Sequence, residues 1–345
     1  MTNRIITLLI FIVVFTLPGN AQQTDEKVNP RENQYIFWGY TDNYLENQAR
    51  VTFEKINEIL IDFPPTIEKS PPREMTLIAL DNMLHDVRND KSETFYHFVN
   101  TRISLMIKEM QKPVKKGVKV FKLYNDGFIL KTKTTTIAID LVPGGPESRP
   151  FIDDSLIYQI ANQCDAMFVT HAHGDHANLR IAKAFAESGK KVVVPKDLWT
   201  DVHENIQQLM SENKDVTVSF DELGFDVRIL PGHQDEMYNN IYIFNFKNGI
   251  SIAHTGDQYN KDDVEWISKI KNDNEIDALL VNCWINNMDK SIAGFDPKIV
   301  ITGHENEMEH SIDHREAYWM TMCKMKKTDY PNVLMTWGEY YWIKH

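Results

Sequence analysis

Residues 166–176 read Ala-Met-Phe-Val-Thr-His-Ala-His-Gly-Asp-His. Four side chains able to bind a metal fall within six residues, directly after an apolar run that reads as a strand. Imidazole nitrogen and carboxylate oxygen suit zinc and similar divalent ions. In an extended segment residues two apart point the same way, so His171 and His173 can face one ion. Gly174 permits a sharp turn, which can aim Asp175 and His176 at a second position. With 12 histidines in 345 residues, such a density by chance is improbable. One loop cannot complete two metal sites, so the fold must return other strands to it.

Three later segments fit that requirement. Residues 226–230 run into Pro231-Gly232-His233, 250–253 into His254-Thr255-Gly256-Asp257, and 298–302 into Gly303-His304. Each time an apolar strand delivers a ligand type at its C-terminal end, with glycine beside it. Singly each is weak; in this order they reinforce one another.

The succession HxHxDH, PGH, HTGD and GH resembles the metallo-β-lactamase-fold hydrolase superfamily over roughly residues 117–345. Its approach strands and final GH are similar to the branch containing L-ascorbate-6-phosphate lactonases and N-acylphosphatidylethanolamine-hydrolysing phospholipase D. The resemblance implies an α/β chain with a four-layer αββα sandwich and the metals at one rim. It implies His171, His173 and His233 on a first ion, Asp175, His176 and His304 on a second, and Asp257 bridging. Two divalent ions are expected, zinc foremost, with manganese or iron sharing these ligands. Two such ions with Asp175, Asp257 and a bridging hydroxide leave a core near +1. Metals about 3.5–4 Å apart can share a water and lower its pKa toward ~7. Asp175 is the expected catalytic residue, steering that nucleophile or accepting its proton. The reaction class is water attack on an ester, lactone, amide or phosphodiester. A true β-lactamase is the rival within the class, opposed by the lack of a Cys at the second-site position. A catalytically silent metal-containing binding protein is the rival outside it.

Absences narrow the class further. There is no HExxH helix, no GxxxxGK[ST] loop and no GxSxG elbow. His173 stands where flavodiiron proteins of this fold have Glu, which favours hydrolysis over oxygen reduction. The formal net charge of −12 opposes sequence-independent nucleic-acid binding, which needs surplus Lys and Arg. The expected partner is a small-molecule substrate; oligomeric state stays open.

The organisation follows from texture. Arg4, a nearly unbroken apolar run over 5–17 and Pro18-Gly19-Asn20-Ala21 have the layout of a secretory signal peptide cut after Ala21. The run is short of the roughly 20 residues a membrane span needs, and no other stretch could span. Export to the periplasm or medium is therefore expected for the mature chain. Three domains are expected: a signal peptide 1–21, a helical N-terminal region 22–116 and a catalytic domain 117–345. Within the second, 22–34 reads as a loose leader and 43–63 and 95–110 as helices. After Lys112-Pro113-Val114-Lys115-Lys116-Gly117, which reads as a linker, strands at 118–124 and 128–133 flank Asn125-Asp126-Gly127, a hairpin signal. A strand at 134–141 follows, and strands then alternate with helices, including helices over 179–188, 198–210 and 315–324. Cys164, Cys283 and Cys323 are expected to be buried thiols, with at most one disulfide possible.

Other candidates carry two readings. Asp140 either orients a ligand imidazole or is a strand-end turn residue. His310 and His314, with Glu305, Glu307 and Glu309, form either an outer shell near His304 or a solvated helix start. Trp284, Asn286, Asn287, Trp337 and Tyr340 line the pocket or pack in the core. His254 is expected to fix the Asp257 turn, and His85 and His97 to be surface or packing residues.

Overall fold

A computed structural model describes residues 39–210, 215–285 and 287–344. The proposed export signal, the polar leader and Asn286 lie outside them. Two compact units meet in sequence at Val51 and Thr52. Of the first, the described residues are 39–51, which enter helix α1 (Thr41–Asp62). The second unit carries everything that follows.

Helices α2 (Pro71–Leu84) and α3 (Glu93–Met110) come next. Pro71 and Pro72 sit in the first turn of α2, where the missing N–H has no helical partner to lose. Ser92 caps α3 by accepting from the Phe95 N–H at 3.2 Å. The chain then forms β1 (Val118–Lys122), β2 (Phe128–Lys131), β3 (Thr136–Ile139), α4 (Asp154–Gln163), β4 (Ala166–Phe168), α5 (Leu179–Glu187), β5 (Lys191–Val194) and β6 (Ile206–Gln208). After these come β7 (Val216–Phe220), β8 (Phe225–Gln234), β9 (Met237–Phe246), β10 (Ser251–His254), α6 (Val264–Ile267), β11 (Ala278–Asn282), α7 (Met288–Phe295), β12 (Ile299–Gly303), α8 (Tyr318–Met325), β13 (Asn332–Val333) and β14 (Tyr340–Ile343).

Among the described residues the strands make two seven-stranded sheets, ordered β14-β1-β2-β3-β4-β5-β6 and β13-β12-β11-β10-β9-β8-β7. Each sheet is antiparallel on one side and parallel on the other. Period-two alternation divides the side chains. Val118, Val120, Phe128, Leu130, Ile137 and Phe168 meet Phe225, Val227, Phe244, Ile252 and Leu280 in an interlayer core. The alternate residues Phe121, Ile129, Ala138 and Met167 face a second core with α2, α3, α4 and α5. On the other sheet Ile241, Ile243, Leu279 and Val281 pack with α6, α7 and Met325 of α8. This is the expected αββα sandwich. No helix of the described residues is long and apolar enough to cross a membrane.

The structure departs from the sequence reading in several places. The helix expected over 198–210 is a turn leading into β6. Asp197, Trp199 and Asp201 adopt φ of 67°, 55° and 57°, which no right-handed helix accommodates. The segment is used to extend the sheet, with Ile206 paired to Val192. β8 and β9 are longer than expected, so Pro231-Gly232-His233 lies within the end of β8. The final strand β14 was not foreseen; it closes the first sheet against β1. Cys164 and Cys283 are buried as expected, but Cys323 is exposed on α8.

Candidate metal centre

The sheet topology explains why the ligand types meet. β3 and β4 are parallel neighbours, as are β10, β11 and β12. Their C-terminal ends therefore lie along one rim of each sheet. Asp140 follows β3, His171 follows β4, Asp257 follows β10, Asn282 ends β11 and His304 follows β12.

Two groups of ligand atoms form there, each within 4.8 Å: Asp175, His176, Asp257 and His304, and His171, His173 and Asp257. Asp257 belongs to both. Its Oδ1 lies 3.3 Å from His176 Nε2, and its Oδ2 lies 3.4 Å from His304 Nε2 and 3.7 Å from His171 Nε2. Asp175 Oδ2 lies 3.1 Å from His176 Nε2 and 3.4 Å from His304 Nε2. Six of the seven expected ligands thus converge. His233 belongs to neither group. Its Nδ1 faces Asp263 at 3.1 Å, and its N–H donates to Gln258, next to Asp257.

Backbone turns bring these side chains round. His304 has φ 70° and Asp140 φ 47°, left-handed conformations that are uncommon outside glycine. Gly256 precedes Asp257 at φ 52°, and a Cβ there would stand 2.3 Å from Asn239 Oδ1 and 2.7 Å from Thr170 Cβ. Glycine is thus required for the close approach of this loop to the β4 end. Gly174 has no left-handed φ and open space around it, so the turn after His173 does not depend on glycine.

Asp140 organises the imidazoles. Its carboxylate accepts from Thr170 N–H at 2.7 Å and from the Thr170 hydroxyl at 2.6 Å, and meets His176 Nδ1 at 2.8 Å. Having donated its proton to Asp140, the Thr170 hydroxyl accepts from His171 Nδ1 at 3.0 Å. Both rings then carry hydrogen on Nδ1 and present the Nε2 lone pair. His171 Nε2 and His176 Nε2 are buried and have no hydrogen-bond partner. This is the arrangement that metal-ligating histidines show. Asp140 therefore takes the orienting role of its two readings. His254 does fix the Asp257 turn: its Nδ1 accepts from Gly256 N–H at 2.9 Å.

Electrostatics agree with that donor set. Burial drives His171 down to about 3, so its ring is neutral. Burial also opposes charge on His176 and His304, but the Asp257 and Asp175 carboxylates outweigh it and hold both imidazoles well above their ordinary value. The two carboxylates call for positive charge at this point. A divalent cation bound between neutral imidazoles supplies it, so the residues present fit such an ion.

Three contacting residues were missed from sequence. Asn125 is fully buried, and its Nδ2 lies 3.0 Å from both Asp175 Oδ2 and His304 Nε2. Asn282 donates to Asp257 Oδ1 at 2.5 Å, and Gln234 to Asp257 Oδ2 at 3.3 Å. All three stand at or just after C-terminal strand ends on this rim, the position already noted for the histidines.

Around His304 an aromatic wall forms. The Trp284 ring lies 5.2 Å from His304, 5.0 Å from His310 and 5.3 Å from His314. The latter two rings stack at 5.2 Å. They belong to turns and a short 3-10 segment, not to one helix face. Buried Glu307 faces His304 Nδ1 at 3.5 Å and His310 Nε2 at 3.1 Å, so the outer-shell reading holds for it. Trp337 is fully buried among Phe95 and Tyr124, and Tyr340 packs on Phe121; both are packing residues. A cavity of about 500 Å³ opens beside Asp257, lined also by Gln234, Asn282, Trp284, Ile285 and His314.

No protein-family model and no curated protein matches the chain by sequence. Solved structures do match by fold. A possible metal-dependent hydrolase from Veillonella parvula aligns at TM-score 0.50 and 16% identity, over 66% of this chain and 100% of that one. Igni18, a metallo hydrolase from Ignicoccus hospitalis, aligns at 0.49 and 17%, over 66% and 99%. An isothiocyanate hydrolase from Delia radicum gut bacteria aligns at 0.48 and 14%, over 66% and 99%. At 16% identity the Veillonella parvula match shows a likeness of fold alone, in keeping with the two seven-stranded sheets, and singles out no branch.

Proposed function

We propose that this metallo-β-lactamase-fold chain is an exported, dinuclear metal-dependent hydrolase, with zinc as the first metal to test. The observation that carries the reading is the sharing of Asp257 by two groups of ligand atoms at the edge of a 500 Å³ cavity. His171 and His173 would hold one ion, with His233, turned by Asp263, the nearest candidate to complete its set. Asp175, His176 and His304 would hold the other, and Asp257 would join the two. When bound, such a pair makes a nucleophile of water at neutral pH and polarises a carbonyl or phosphoryl oxygen.

The chain's own residues do the rest. Asp140 holds His176 and, through Thr170, His171 in the tautomers that bind. Asp263 does the same for His233, presenting its Nε2. Asn282 and Gln234 fix both oxygens of Asp257. Asp175 is the less buried carboxylate, 15% exposed against 9% for Asp257. It stands where it can accept a hydrogen bond from the attacking water and steer it. Asn125 holds Asp175 in that pose.

The test is a screen of lactones, aryl esters, phosphodiesters and β-lactams on purified, metal-quantified protein. Turnover lost in Asp175→Asn with metal retained supports the reading. No turnover of any class by fully loaded protein overturns it. Export is supported by Arg4, the apolar run over 5–17 and Ala21. N-terminal sequencing of protein from the producing cells is expected to begin at Gln22; a retained Met1 in the mature fraction contradicts export with cleavage.

A further inference from the structure

The cavity beside Asp257 has a second wall that the metal centre does not use. It is built around Asp235, Tyr259, Trp284, Asp313, Arg315 and Lys324. Two cations stand in it, and both are already engaged. The Arg315 guanidinium pairs with Asp90 at 2.6 Å and donates to the carbonyls of Leu84 at 2.6 Å and His310 at 3.0 Å. Lys324 pairs with Glu316 at 2.7 Å and donates to the Cys283 carbonyl at 2.8 Å. Each pair is neutral. Asp235 and Asp313 are exposed and make no side-chain ion pair or hydrogen bond among the described residues. The wall therefore carries two uncompensated negative charges. Its remaining surface is aromatic or apolar: Tyr259 is 42% exposed, and Trp284 forms a continuous ring surface with His314 and His310.

We propose that this wall receives the non-reacting part of the substrate, and that this part is an apolar, uncharged or cationic group, not a phosphate. The inference rests on the hydrolase reading and narrows its substrate class. A phosphate needs cationic or N–H donors with capacity to spare. Here the guanidinium has given its donors to protein acceptors, the ammonium spends two of its three on Glu316 and the Cys283 carbonyl with its charge balanced by Glu316, and two carboxylates repel an anion. An ammonium or a planar apolar group finds the reverse: aromatic faces for stacking and cation–π contact, with Asp235 and Asp313 to balance charge. The metal pair would still attract an anionic reacting centre. The selection described applies to the group attached to it.

The experiment keeps the scissile bond constant and varies the tail. Metal-loaded protein is assayed with 4-nitrophenyl pentanoate and with its 5-trimethylammonio and 5-phosphono derivatives. The neutral and trimethylammonio esters are expected to exceed the phosphono ester at least tenfold in kcat/KM. Asp235→Lys/Asp313→Lys, with unchanged metal content, is expected to invert the order of the two charged esters. Equal or preferential turnover of the phosphono ester by the wild type overturns this inference and leaves the hydrolase reading standing. An order unaltered by the double variant also overturns it. If none of the three is cleaved and the broader screen is also blank, the hydrolase reading fails and this inference with it.

Discussion

Asp140 is a buried carboxylate with four acceptor sites, and three donors from Thr170 and His176 converge on it. It sets which nitrogen of each imidazole bears hydrogen. Loss of such a partner lowers metal affinity by roughly 10–100-fold. Asp140→Ala is therefore expected to weaken metal retention by that factor, read by chelator competition with circular dichroism as the check on folding. Unaltered retention in a folded variant would assign Asp140 to the turn alone. The two readings of this residue could not be separated in the sequence because an acid after a strand serves both purposes. Asn125 was hidden differently. Asn-Asp-Gly is so strong a turn signal that its first residue read as surface, whereas the turn is buried and Asn125 reaches Asp175. The histidines were legible because their chemistry is rare and their spacing local.

Among elements, α2 and α3 do more than cover the first sheet. Arg73 of α2 pairs with Glu339 at 2.8 Å through Nη1 and also through Nη2, and Arg102 of α3 lies 3.3 Å away. Arg102 also donates to the Trp337 carbonyl at 2.7 Å, and Arg73 to that of Leu334 at 2.7 Å. The segment leading into β14 is thus clamped by two helices. Burial pushes Glu339 up, but the two guanidiniums prevail and hold its carboxyl below the ordinary value. Removing one member of a buried pair strands the others, at a cost of about 3–5 kcal/mol. Glu339→Gln is expected to lose that much stability at pH 7, read from urea unfolding. A depressed carboxyl stabilises fully above the ordinary Glu range and ceases to do so as pH falls through the folded value. The gap between variant and wild type should therefore narrow in acid; a gap constant down to pH 3 would contradict the pairing. None of this was legible beforehand, because the partners are 266 residues apart in Arg73 and Glu339 and each reads singly as a surface charge. Helices α1 and α3 were legible from apolar spacing. The false helix at 198–210 shows the limit of that signal where edge pairing with β5 outweighs local propensity.

Across the whole molecule, the site is a consequence of topology. Each sheet sends parallel strands to one rim, so ligand types written at strand ends over residues 171–304 become neighbours. The sandwich was legible from strand texture together with the resemblance its motifs carry. The cavity wall of Trp284, Asp313 and His314 was only partly so, because its shape is set by turns without periodicity. The central claim is that Asp257 joins two divalent ions. The most direct measurement is metal content per chain in purified wild type and Asp257→Ala, with thermal melts to confirm that both are folded. Two ions in the wild type and fewer than one in a folded variant are predicted. Equal stoichiometry in the two proteins, or a wild type that binds none from metal-replete medium, would contradict the account.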